Sequence, residues 1–114
     1  MQASDTQTID MDIVEELKDV MGDDFSLLVE SFIRDGQQRL QVMKVALGGQ
    51  DQEALRAQAH SFKGSSSNLG ALQVRDYCLA LETLASRGEL AAAPAEMEKL
   101  ESAFLKASEA LKSV

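Results

Sequence analysis

The chain has 114 residues, 45% of them apolar, and a formal net charge of −8. That length gives one domain, spanning 1–114, with room for a single core. The acidic charge argues against nucleic acid and against an anionic membrane surface as partners, because both are polyanions. Aromatic residues make up only 4% of the sequence, with no Trp and a single Pro, which favours helices over sheet.

Residues 1–8 read as a frayed start. The stretch Met1 to Met11 has neither a basic region nor an apolar run, so it reads as neither a signal peptide nor a membrane span. Asp10 or Thr8 caps a short helix over about 11–21, with Ile13, Val14, Leu17 and Val20 as its apolar face. Gly22 ends it. Asp23 and Asp24 supply a cap and first-turn negative charge for a longer helix reaching about Leu47. Its seam runs through Phe25, Leu28, Phe32, Gly36, Leu40, Met43 and Leu47; Gly36 marks either close helix packing or a weak point. Gly48-Gly49 stops this helix and Asp51 caps the next.

The third helix, about 51–69, carries the stretch Ala59-His60-Ser61-Phe62-Lys63-Gly64-Ser65-Ser66-Ser67-Asn68-Leu69-Gly70 and the only histidine of the protein. Leu55, Ala59, Phe62, Ser66 and Leu69 recur at intervals of four and three and form a core stripe. His60, Lys63, Gly64 and Ser67 form a second stripe, roughly 120° away at 3.6 residues per turn. The imidazole therefore stands on the flank of the helix, open to solvent, with Lys63 one turn on. A neutral imidazole nitrogen is a good nucleophile toward phosphorus, and a lysine three residues later offers a mobile positive charge to phosphoryl oxygens. Gly64, opposite the core stripe, costs about 1 kcal/mol of helix propensity relative to alanine, and so points to close approach by a partner.

Gly70 stops the third helix. A fourth runs over about 72–87 through Val74, Tyr77, Cys78, Leu81 and Leu84, and Gly88 ends it. Pro94 fits the first turn of a fifth helix that continues to the C-terminus on Met97, Leu100, Phe104, Ala107, Ser108 and Leu111. Long helices with short connections give an all-α fold: an antiparallel up-down-up-down four-helix bundle with a short additional N-terminal helix. The lone Cys78 has no partner for an intramolecular disulfide, which fits a reducing, cytoplasmic setting. It lies on the core seam and reads as filler, with no second histidine to act as its base. One His and one Cys on different helices match no zinc spacing, and no Gly-rich phosphate loop or kinase signature is present.

The run His60, Lys63, Gly64, Ser65 to Ser67 and Leu69-Gly70 resembles the helical His-x-x-Lys-Gly signature of histidine phosphotransfer (HPt) domains of multistep phosphorelays. The helix order also resembles theirs over nearly the whole chain, although only the central dozen residues are specific. The resemblance implies that His60 accepts a phosphoryl group from the aspartyl phosphate of a receiver domain and passes it to the aspartate of another. The donor receiver would belong to a hybrid sensor histidine kinase and the acceptor to a response regulator. It implies a carrier with no cofactor of its own, Mg²⁺ being expected on the partner receiver; the missing kinase signature adds that the chain has no ATP-dependent kinase activity. Lys63 and, one turn before His60, Arg56 would stabilise the phosphoryl group; Ser67 would bond to it or to Lys63. Glu82, on the flank of the fourth helix, either accepts a hydrogen bond from the ring and biases its tautomer or is a solvated carboxylate. Ile33, Leu40, Ile13 and Leu17 are either core residues or, where exposed near His60, the apolar patch on which a receiver docks. No dimerisation helix extends beyond the bundle, so a monomer is expected. The competing reading is a helical adaptor that binds a partner through the same face without phosphorylation.

Overall fold

A computed structural model describes residues 7–114 of the chain. They form α1 (Met11–Met21), α2 (Asp24–Gly48), α3 (Gln52–Leu69), α4 (Leu72–Arg87) and α5 (Ala93–Lys112), with a single 3₁₀ turn at Leu90–Ala92 ahead of α5. Helix α3 packs on α4, α4 on α5, α5 on α2 and α2 on α3, which closes a four-helix bundle. The short α1 lies against α2 and α3. The expected frayed start falls mostly on residues 1–6, outside the described residues. Thr8, by contrast, is tied in: its hydroxyl donates to Gln73 Oε1 at 3.4 Å.

The core is centred on three rings, one each from α2, α3 and α5. Phe32, Phe62 and Phe104 sit with centroids 6.1, 5.8 and 5.9 Å apart in tilted and edge-on arrangements, the geometry their quadrupoles favour. Gly36 makes this cluster possible, because a Cβ there would overlap the Phe104 ring. Its place on the seam marks close packing, not a weak point. The stripe Leu55, Ala59, Phe62, Ser66 and Leu69 of α3 is buried throughout, so the rotation of the motif helix is fixed by its core side.

Caps follow the sequence at most ends. Asp10 Oδ1 accepts from the Asp12 amide at 3.0 Å, and Asp51 Oδ1 from the Ala54 amide at 3.1 Å. Asp23 departs from expectation: it makes no side-chain cap bond, and its backbone is already helical at φ −64, ψ −22. Gly70 closes α3 in the left-handed region, at φ 81, where its own amide and that of Ala71 reach back to Ser67 and Ser66 carbonyls. The Gly70 carbonyl in turn accepts from the Asp10 amide at 2.8 Å, so the same turn that ends α3 anchors α1.

The apolar face of α1 is narrower than its sequence suggests. Val14 is buried, Ile13 and Leu17 are half-buried, and Val20 is 81% exposed. Met21 takes the inward place in the last turn and packs on the core instead. Only one side of α1 meets the bundle, so a residue a third of a turn off that side has nothing to cover it.

Candidate functional site

The buried neighbours Ala59 and Phe62 hold the α3 backbone against the core, which leaves the His60 side chain 63% exposed on the flank. The tight Gly70–Ala71 connection folds α4 back along α3 and brings Glu82 level with His60. Glu82 is flanked on its own helix by buried Leu81, Cys78 and Ala85, and its side chain is only 17% exposed. Its two oxygens are divided between two partners. Oε2 stands 2.7 Å from His60 Nδ1, and Oε1 accepts from Lys63 Nζ at 2.6 Å.

The electrostatics assign the proton. The hydrogen bond from Lys63, with a smaller contribution from His60, holds the Glu82 carboxyl below the usual carboxylate range despite the opposing effect of burial. An ionised carboxylate can only accept, so the proton of a neutral His60 ring sits on Nδ1. Nε2 then carries the in-plane lone pair and has no protein partner among the described residues. Next to it, the surface at Gly64 is bare: a Cβ built there meets nothing within 4 Å. The arrangement is a fixed, outward-facing nucleophilic nitrogen with a cation alongside and clear space for a second molecule.

The remaining residues picked out in the sequence are placed as follows. Ser67 lies one turn past Lys63, and of the two partners expected for it the structure shows Lys63: its hydroxyl donates to the Lys63 carbonyl at 2.9 Å. Arg56 is occupied by Glu53, with Nε and Nη2 bonds of 3.0 and 2.6 Å, and its charge also interacts with Glu82. Leu40 is a correction: it is buried in the core, on the side of α2 that meets Phe104 and Leu105 of α5, so it presents no side chain for docking. Ile33 is half-buried against the core, and Ile13 packs over Gly70. Leu17 lines a groove of about 270 Å³ between α1, α2 and α3, together with Leu28, Phe32, Arg39, Ser65 and Asn68. Arg39 is the residue the sequence reading missed. From α2 its Nη1 donates to Ser61 Oγ at 2.7 Å, which ties the groove to the residue beside His60. A cation three residues after Gly36, at the edge of an apolar seam, is the signal that would have found it.

Burial pushes the Cys78 thiol up to about 12, so it is no nucleophile. Among the described residues no group of three His, Cys, Asp or Glu side chains could hold a metal ion, and no helix is long and apolar enough to cross a membrane.

Comparison with known proteins identifies the family. The family model for the Hpt domain matches residues 27–112. A search of curated proteins gave no match. Among solved structures, the chain is similar to histidine-containing phosphotransfer protein B (HptB) from Pseudomonas aeruginosa PAO1, at 40% identity and a TM-score of 0.91, over 95% of this chain and 94% of that one. With its helical bundle and a family match over most of its length, the chain belongs to the Hpt domain family, the histidine-containing phosphotransfer intermediates of phosphorelay signalling.

Proposed function

We propose that His60 is the phosphoryl acceptor and that transfer takes place at Nε2. The observation that carries this reading is the Glu82–His60 Nδ1 contact of 2.7 Å on a ring that is 63% exposed. It orients the imidazole and leaves its nucleophilic nitrogen facing outward. The phosphorus–oxygen bond of a receiver's aspartyl phosphate breaks, its electron pair stays with the aspartate, and the Nε2 lone pair forms the new bond to phosphorus. Transfer to a second receiver reverses these steps. Lys63 supplies charge to the phosphoryl oxygens.

The partners in this reading are the receiver domains of a hybrid sensor histidine kinase and of a response regulator. Mg²⁺ belongs to the receiver, and the chain itself works as a monomeric cytoplasmic carrier without a bound cofactor or ATP-dependent kinase activity. The open surface at Gly64 and the groove holding Leu17 and Arg39 are the receiver contacts in this reading. The test is phosphoryl transfer from a panel of phosphorylated receivers, followed by intact mass. His60→Gln is expected to abolish the adduct. An adaptor that needs no phosphorylation would instead bind and signal normally with that substitution.

A further inference from the structure

The two bonds of Glu82 have a consequence for the phosphorylated state. In the unmodified protein one carboxylate serves both the ring and the ammonium. Phosphorylation changes both partners at once. When Nε2 bonds to phosphorus and Nδ1 keeps its proton, the ring takes on a positive charge and the phosphoryl group carries two negative ones. Lys63 then faces a dianion within reach of its flexible stem, and Glu82 faces a cationic ring where it faced a neutral one. Opposite charges at hydrogen-bond distance attract far more strongly than a charge and a neutral donor.

We propose that Glu82 exchanges ion partners as His60 is phosphorylated: its carboxylate passes from Lys63 to the ring, and Lys63 passes from Glu82 to the phosphoryl oxygens. This rests on His60 being the acceptor. The exchange leaves neither Glu82 nor Lys63 without an opposite charge before or after the reaction. It also keeps the proton on Nδ1 of the phosphorylated ring, and a protonated imidazole is the better leaving group when the phosphoryl group moves on. Glu82 is thus a positioning residue that maintains His60 as a ready donor, and an amide at that place would hold the ring without holding the proton.

The groups facing this carboxylate are few. From α3 come His60 and Lys63, with Arg56 farther off and already bound to Glu53. Arg39 of α2 is engaged by Ser61, Cys78 of α4 is buried and un-ionised, and no ionisable group of α5 acts on Glu82.

The test uses the full chain phosphorylated by a small phosphoramidate donor, with ³¹P and ¹⁵N NMR followed across pH in the wild type and in Glu82→Gln. The wild-type phosphorylated ring is expected to lose its Nδ1 proton at a pH about one unit or more above that of the variant, the size of shift an adjacent opposite charge gives. The Lys63 Nζ resonance, followed in the same samples, is expected to move on phosphorylation of the wild type. Identical ring titration in the two proteins, or an unmoved Lys63 signal in the wild type, would overturn the exchange. Failure of His60 to take up phosphoryl at all is a different outcome, and defeats the acceptor reading itself.

Discussion

Lys63 Nζ and Glu82 Oε1 lie 2.6 Å apart across the α3–α4 interface, with both side chains mostly covered. In the proposed relay the same lysine serves the phosphoryl group, so Lys63→Ala should slow transfer without abolishing it. A loss of about tenfold corresponds to about 1.4 kcal/mol of transition-state stabilisation. Stopped transfer kinetics with one receiver, compared between wild type and variant, measure it; an unchanged rate would place the charge elsewhere.

The pH dependence of stability follows from Glu82. Its carboxyl is held below the usual range by Lys63 and then His60, so the folded state binds that proton less readily than the unfolded chain. Its stabilising contribution is complete above the ordinary carboxylate value of about 4.3 and is lost as pH falls through the lower folded value. Urea denaturation over a pH series should show a shallower acid limb in Glu82→Gln than in the wild type.

Gly36 and Phe104 test the core. Gly36→Ala forces a methyl group into the Phe104 ring, and overpacking of this kind costs about 1–3 kcal/mol. Adding Phe104→Leu should recover part of that loss, because the two changes share one contact. Equilibrium denaturation of the two single variants and the double variant gives the coupling directly.

Cys78 is fully buried, and its thiol is pushed up to about 12 by loss of hydration. Native protein at pH 8 should resist alkylation, and reaction should follow unfolding. Between the ordinary thiol value of about 8.5 and the folded value, the unfolded chain binds fewer protons, so the thiol's contribution to stability falls as pH rises. Cys78→Ala should remove that alkaline slope, as thermal melts at pH 8 and 10 would show.

The parts of the structure that periodicity controls were legible from the residues. The helices, the buried stripe from Leu55 to Leu69, the Asp51 cap and the flank position of His60 all depend on local spacing. What was not legible depends on which helix packs where. Leu40 and Ile33 share one helix and similar apolarity, but Leu40 meets α5 and is covered. Val20 matches its neighbours in character and is exposed, because α1 has nothing beside that turn. Arg56 and Arg39 are equal as cations in the sequence; Glu53, one turn before Arg56, captures the first, while the second crosses to Ser61. Choices between competing partners of this kind are made by tertiary geometry. The 3₁₀ turn at Leu90–Ala92 also left no periodic signature, being too short to show one.

The most direct measurement of the central claim is the intact mass of the wild type and His60→Gln after incubation with a phosphorylated receiver domain. The account predicts one phosphoryl adduct on the wild type, labile in acid and stable in alkali, and none on a His60→Gln protein whose melting temperature is unchanged. An adduct of the same size on folded His60→Gln would contradict it.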